Sequence, residues 1–492
     1  MFDHYWRPPV RKLLFNLLKW TENTPSQNRV IRGGETKSWQ REIQISTPLI
    51  SIVSMAAFFL VLVLEIGLAW VKIAGLALFL IMIFVFLAMY LRQDAPEISG
   101  DSEAMMLLGL LMTSSVLLMQ VFQPWPLAFP MAAPIILAGL LLSVRLAIMV
   151  AVILCMIFGV LNNFSLEYFF VHLAGSCAAV SFLGKIRNRA DMTRLGVKIA
   201  FINVVAILIM HFFKLWSFKT LGVNVLLGGI SGFASALIVL GVLPYLELFF
   251  YRTTNIKLLE LADFTQPLLK RLMLEAPGTY HHSLIMASLA EQAAEAIGDN
   301  ALLARVGAYY HDIGKLSNPD YFIENQQSKG NPHDPLTPAM SSLIVISHVK
   351  EGVALAQSHH LDRVITDFIQ QHHGTSLIHY FYHRALEQNT EIKSDNFRYP
   401  GPRPRTKVAA ILMLSDAVEA ASRVLEDPTA GRIKDMVEKI INNKFIDGQF
   451  AECPITLRDL STIAESMVVT LSGISHARIE YQEPNNQAAA AN

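Results

Sequence analysis

Apolar residues run almost without interruption from about Ile45 to Phe250 and break into a helical period only afterwards. A helix needs about 20 mostly apolar residues to cross a bilayer. The stretch Thr47–Leu91 is roughly twice that length and predicts two helices, with a turn near Gly67 to Lys72, where Glu65, Trp70 and Lys72 cluster. Further spans are predicted over 104–122, 127–143, 146–162, 166–184, 198–216 and 222–247, eight in all, with the short middle spans able to merge or re-enter. The stretch 253–275 reads as a helix leading out of the membrane, kinked or restarted at Pro267.

Beyond Ala276-Pro277-Gly278 the apolar period is helical over 281–297, 300–313, 337–357, 361–373, 376–388, 407–425, 430–444 and 456–472. Alternating strand patterns are almost absent, so the second half is expected to be all-α. The expected organisation is a basic segment 1–45, a multi-span helical membrane domain 46–250, a helical linker 251–278, an all-α domain 279–481 and a low-complexity, disordered tail 482–492.

Composition narrows the class. The chain is 53% hydrophobic and 16% charged, against about 25% charged in ordinary soluble domains. This excludes a disordered chain and argues against a purely soluble enzyme. The net charge is zero, from 40 basic and 40 acidic residues, so nothing points to nucleic acid as a partner. Three cysteines without a CxxC exclude a disulfide framework and a cysteine zinc site.

Charge also orients the spans. Arg7, Arg11, Lys12, Lys19, Arg29, Arg32, Lys37 and Arg41 precede the first span, and Lys185, Arg187, Arg189 and Arg194 follow the sixth. With eight spans these groups, Arg145 and Arg252 all fall on one side, which places both termini in the cytoplasm. The first apolar run begins too late for a cleavable signal peptide. Trp6, Phe15 and Trp20 could rest the leader on the anionic leaflet, although a plain topology-setting leader is the simpler reading. His172, His211 and Lys214 lie within spans but form no regular series, which argues against transport. Gly228 and Gly232 form one GxxxG, a pattern common by chance that gives only weak support to a homodimer.

Eleven of the fifteen histidines lie between His281 and His383. Any single one is better explained as a surface or hydrogen-bonded core residue. His281, His333, His359, His360, His379 and His383 are assigned that way, His281 because it points about 100° away from its neighbour on a helix. The ordered set His282, His311-Asp312, His348, His372-His373 and Asp416 is different: five imidazoles and two carboxylates can build a metal site. Such ligands suit Fe, Mn or Zn. A carboxylate beside a histidine ligand can bridge two ions that clamp a phosphodiester. Adjacent pairs in helical context would set two ligands on neighbouring faces of one helix.

In this order YHHS, HDIGK, SHVKEG, QHHGT and SDAVEA resemble the HD-domain metal-dependent phosphohydrolases. The wider run of EAPGTYHHSL, YFIENQ, NPHD, SSLIVISHVK, QQHHGTSLIHYFY, FRYPGPRP and SDAVEAASR resembles the membrane-anchored seven-transmembrane HD receptors, which degrade cyclic di-AMP in bacteria. The resemblance covers about Lys185 to Ser475, and the upstream spans by architecture.

It implies two divalent transition-metal ions, Mn or Fe, one held by His282, His311, Asp312 and Asp416 and the other by Asp312, His348, His372 and His373, with Asp312 bridging. It implies that Lys315, in the HDxxK position, binds a phosphate oxygen; a solvent-exposed helix charge is the even alternative. It further implies a phosphodiesterase on the cytoplasmic face of the bacterial inner membrane, hydrolysing cyclic di-AMP to linear 5′-pApA. Tyr321 and Tyr399 are candidates to stack on the bases and Asn325 to read the adenine edge, with Arg398 in the same pocket wall; packing of these residues within their loops is the competing reading.

Typical members carry a large extracytoplasmic sensor domain after the first span, where this sequence has the tight turn near Gly67, which puts external sensing in doubt. The alternatives are a phosphohydrolase for another nucleotide, of which the HD-GYP type is disfavoured because Arg398-Tyr399-Pro400-Gly401 is the nearest string; a non-catalytic nucleotide-binding module; and a transporter with a regulatory HD domain.

Overall fold

Helix α1 already begins at Trp70 and runs Trp70–Gln93, so Trp70 and Lys72 belong to a helix and not to the expected turn. No proline or glycine interrupts the apolar run between Trp70 and Ala74. The structure, a computed structural model, describes residues 70–476 except 185, 187, 214, 215, 327–329, 389–391, 426 and 427. The basic leader, the first expected span, Glu65, Gly67, Lys214 and the tail 482–492 lie outside the described residues.

After α1 come the short α2 (Pro96–Ser99), then α3 (Ser102–Val121), α4 (Ala132–Leu141), α5 (Val144–Leu161), α6 (Leu166–Leu183), α7 (Arg189–Phe212) and α8 (Leu221–Phe249). Leu78, Met82 and Phe86 of α1, Phe201 of α7 and Leu226 and Leu248 of α8 are all more than half exposed. A belt of this kind fits hydrocarbon as its solvent. The protein is a multi-pass membrane protein. Seven described helices are long and apolar enough to cross a bilayer, but one of them, Pro338–Ser358, lies in the second half and buries His348 in the other core.

The span expected over 127–143 is discontinuous. It consists of a 3-10 turn, Pro126–Ala128, followed by the ten-residue α4. Pro126, Pro130 and Pro134 prevent a continuous ladder. Side chains of neighbouring helices reach the carbonyls of this interrupted segment: His172 Nε2 donates to Pro126 O at 3.0 Å and Ser231 Oγ to Phe129 O at 2.7 Å. His172 thus has a structural task within the bundle. The GxxxG is also used inside the chain. A Cβ on Gly232 would fall 2.3 Å from the backbone nitrogen of Ala200, so the glycine lets α8 lie directly on α7. Asn203 Nδ2 donates to the Gly228 carbonyl at 3.2 Å in the same seam.

The second half is helical throughout: α9 (Asn255–Leu261), α10 (Pro267–Glu275), α11 (Pro277–Ala296), α12 (Ala301–Tyr310), α13 (Pro338–Ser358), α14 (Arg363–Gln371), α15 (His379–Gln388), α16 (Lys407–Ser422), α17 (Ala430–Ile446) and α18 (Leu457–His476). Among the described residues no strand occurs, only an isolated bridge between Leu377 and Arg398. Pro267 opens α10 at its first turn, where its missing N–H costs nothing. Leu258, Leu261, Leu268, Leu269 and Leu272 join the second core, and Tyr310 Oη donates to Leu261 O at 2.9 Å. The two halves meet through Arg252 with Asp101, Arg189 with Glu260 at 2.6 Å, and Thr253 Oγ1 donating to Asp362 at 2.7 Å.

Two expected helices end early. α12 stops at Tyr310 and α14 at Gln371, so His311-Asp312 and His372-His373 stand just beyond helix C-termini. Neighbouring side chains on an unbroken helix diverge by about 100°. Leaving the helix lets both members of each pair turn toward one point.

Candidate metal centre

Five segments converge on Asp312. α11 brings His282, the end of α12 brings His311 and Asp312, α13 brings His348, the end of α14 brings His372 and His373, and α16 brings Asp416. Asp312, His348, His372 and His373 offer ligand atoms within 4.8 Å of one another, and so do His282, His311 and Asp416. The two oxygens of Asp312 face different sets. Oδ1 lies 3.3 Å from His348 Nε2 and 3.6 Å from His372 Nε2. Oδ2 lies 3.2 Å from His311 Nε2 and 4.0 Å from His282 Nε2. Asp416 links the sets from the outer side, with Oδ1 3.1 Å from His282 Nε2 and Oδ2 3.4 Å from His373 Nδ1.

The crowding depends on Gly314. A Cβ there would lie 1.8 Å from the carbonyl oxygen of His348, so the turn Ile313–Ser317 and α13 touch backbone to backbone. This contact brings His348 onto Asp312.

Backbone carbonyls fix the ring tautomers. The Nδ1 atoms of His311, His348 and His372 lie 2.7, 2.6 and 2.9 Å from the carbonyls of Ala308, Val345 and Ile369. A carbonyl only accepts, so each ring donates Nδ1–H and presents a bare Nε2. The acid Glu419 takes the same role for His282 Nδ1. His311 Nε2 and Asp312 Oδ1 are buried without a hydrogen-bond partner among the described residues. Orphaned lone pairs of this kind are what a cation would satisfy, and the donor set fits divalent metal ions.

The charges agree with that. Burial disfavours ionised Asp312, but His311 and Lys315 overcome it and hold the carboxyl well below the usual range. Desolvation likewise opposes an ionised Asp416, which is partly exposed, but the hydrogen bond from His282 holds its carboxyl well below the usual range. Burial lowers His348 to about 4 and pushes His373 well below the ordinary imidazole value, so both rings are neutral ligands at pH 7. His282 behaves differently: burial opposes its charge, yet Asp416 and Glu419 raise it to about 9.

Lys315 Nζ is 2.7 Å from Asp312 Oδ2 and 2.6 Å from Glu324 Oε1. It is no solvent-exposed helix charge. Beside it opens a cavity of about 340 Å³ lined by His282, Lys315, Glu324, Asp416, Glu419 and Arg423 among others. The side chains of His373 and Asp416, 21% and 16% exposed, form the open face of the cluster.

Of the expected substrate contacts, Tyr399 is at the cluster, its ring stacked on His373 with centroids 4.1 Å apart. The other three are engaged in the scaffold. Asn325 accepts from Thr279 N at 3.1 Å and donates to Thr279 Oγ1 at 2.8 Å, tying its loop to α11. Arg398 pairs with both carboxylate oxygens of Asp447. Tyr321 accepts His333 Nε2 on its carbonyl at 2.8 Å and packs its ring against that imidazole. His281, His359, His360, His379 and His383 are exposed, and none of them joins the ligand sets. Glu419 was missed from the sequence although it lies one helical turn beyond Asp416 in the SDAVEA motif. Glu324 carried no local pattern.

Residues 70–254 match the family described as the 7TM receptor with intracellular HD hydrolase, and residues 279–421 match the HD domain. The chain is 44% identical over 327 residues to the cyclic-di-AMP phosphodiesterase PgpH of Bacillus subtilis (strain 168), covering 66% of this chain and 46% of that protein. It is 41% identical over 316 residues to the protein of the same name from Listeria monocytogenes serotype 1/2a, covering 64% and 44%. It thus spans a little under half the length of these curated relatives. A crystal structure of the L. monocytogenes PgpH HD domain in complex with cyclic-di-AMP is 48% identical, covers 42% of this chain and 98% of that chain, and superposes with a TM-score of 0.42.

Proposed function

The chain belongs to the 7TM receptors with intracellular HD hydrolase, and we propose that it is a membrane-bound, metal-dependent phosphodiesterase hydrolysing cyclic di-AMP to linear 5′-pApA. The observation that carries the reading is the distribution of two ligand sets over the two oxygens of one buried carboxylate, Asp312. In this reading His282, His311, Asp312 and Asp416 hold one ion and Asp312, His348, His372 and His373 the other. Divalent ions there supply Lewis-acid polarisation of a phosphoryl oxygen and a lowered pKa for water. The mixed imidazole and carboxylate donor set is compatible with Mn or Fe, the ions that the family resemblance implies.

The chain's own residues do the positioning. Asp312 is fixed between the sets by Lys315, which also keeps a positive charge on the cavity wall where a phosphodiester enters. The substrate approaches over the open face at His373 and Asp416, where the buried Tyr399 ring backs His373. Asn325 and Arg398 act in this reading by holding the walls, and Tyr321 by fixing the loop beneath them. Adenine preference is supported by the names of the relatives rather than by any free polar group at the site.

The proposed division is a basic leader 1–45, a membrane domain 46–250, a linker 251–278, an HD domain 279–481 and a tail. The basic residues on the HD side of the bundle, Arg189 and Arg252 among them, support a cytoplasmic HD domain in a bacterial inner membrane. The lipid bilayer and a cyclic dinucleotide are the partners proposed, and the zero net charge supports no role for nucleic acid. The GxxxG, used between α7 and α8, lends a homodimer no support.

The test is turnover by the full chain in detergent, supplied with Mn or Fe, of cyclic di-AMP and cyclic di-GMP at equal concentration. Chromatography should show 5′-pApA in excess. Preference for the guanine compound would overturn the base assignment. Inertness toward both, at full metal content, would favour the non-catalytic binding module.

A further inference from the structure

We propose that Arg423 is a substrate-binding residue that holds the second, uncleaved phosphodiester of the cyclic dinucleotide; this rests on the function proposed above. A cyclic dinucleotide carries two anionic phosphodiesters in one ring. When one of them sits at the Asp312 cluster, the other needs a cation of its own. The cavity beside the cluster has such a group in its wall: His282, Lys315 and Asp416 line it together with Arg423 and Val424.

The spacing comes from one helix. Asp416, Glu419 and Arg423 follow at intervals of three and four residues from α16 into the turn after it, so they share a face. Seven residues rise about 10 Å along a helix. Arg423 is aimed by Glu419, a fully buried acid whose Oε1 accepts from Arg423 Nε at 2.7 Å while its other oxygen takes His282 Nδ1. Among the described residues Arg423 pairs through Nε alone, and the residue lines this cavity as well as the neighbouring one beside His281 and Ser422. Ile323 and Val424, 83% and 81% exposed beside it, offer apolar surface to a nucleoside.

The chemistry of the fork selects phosphate. A guanidinium matches the paired oxygens of a phosphate. On a base edge the same fork fits the two acceptors of guanine, whereas adenine presents an N6 donor that repels it. A dinucleotide of adenine therefore places phosphate, and not base, against Arg423.

The experiment compares the full chain with Arg423→Ala and Arg423→Lys on cyclic di-AMP, cyclic di-GMP and bis(p-nitrophenyl) phosphate, which has a single diester, with metal content measured for each. Arg423→Ala should lose about 10- to 100-fold more kcat/KM on cyclic di-AMP than on the single diester, chiefly in KM, as for a lost charge-assisted hydrogen bond. Arg423→Lys should recover part of this, and metal content should match the parent. Equal losses on both substrates with reduced metal would instead make Arg423 a support for His282 through Glu419, and overturn the proposal. A change confined to the adenine-to-guanine ratio would assign it to a base and do the same, as would no change at all. A parent chain that cleaves the single diester but not cyclic di-AMP would remove the underlying function and this proposal together. That outcome is distinct from a parent that cleaves both and a variant that behaves identically.

Discussion

The Nε2 atoms of His348 and His372 face each other at 3.3 Å while both rings donate Nδ1–H to a carbonyl three residues earlier. Two lone pairs at that distance repel unless a cation lies between them. A proton carried by His348 is a poor candidate, because burial holds that ring down to about 4. Chelation should therefore destabilise the second half. The loss should be about 4 kcal/mol where free metal stood at a thousandfold its dissociation constant. The folded-state value of His348 is below the unfolded one of about 6.5, so its contribution in the chelated protein is present above that pH and lost as pH falls toward 4. Thermal melts of the full chain with and without chelator, at pH 7 and pH 5, check both effects; a melt indifferent to chelator would remove the ligand assignment.

Asp312→Ala should leave at most one poorly held ion and turnover below detection, with the helical signal by circular dichroism retained. Both ligand sets face this carboxylate. Elemental analysis giving two ions per chain in the variant would refute the bridging role.

Glu419→Gln should weaken metal binding about 10- to 100-fold, since the acid orients His282 from behind. It should also alter the proton balance. In the metal-free protein Asp416 and Glu419, working against burial, hold His282 at about 9, so the ring is protonated at pH 7 and metal uptake must release that proton. Calorimetry in buffers of different ionisation enthalpy should find the released proton in the parent and less of it in the variant. Identical proton release in the two proteins would contradict the pairing.

Gly314→Ala should destabilise the second half by about 1–3 kcal/mol and lower metal content together with it. The added methyl meets the His348 carbonyl and the Gly352 nitrogen, both backbone atoms that move only with α13. Retained metal with lowered stability would separate the turn from the site.

Several features were legible along the chain because they depend on neighbours in sequence. The apolar runs mark the spans, the helical period marks most of α11 to α18, and the order of histidines and aspartates marks the ligand candidates. Others had no local trace. The interrupted span before α4 depends on His172 and Ser231 reaching its carbonyls from α6 and α8. The early ends of α12 and α14 let adjacent ligands converge.

The sequence by itself therefore determined the all-α class, the membrane half and the identity of the ligand-type residues, since periodicity and residue type are properties of short windows. Only the tertiary structure decided which oxygen of Asp312 faces which histidines, that Glu419 backs His282, and that Asn325 and Arg398 are tied to Thr279 and Asp447. These are contacts between segments far apart in the chain. Whether a polar side chain is free for a ligand depends on what the fold packs against it.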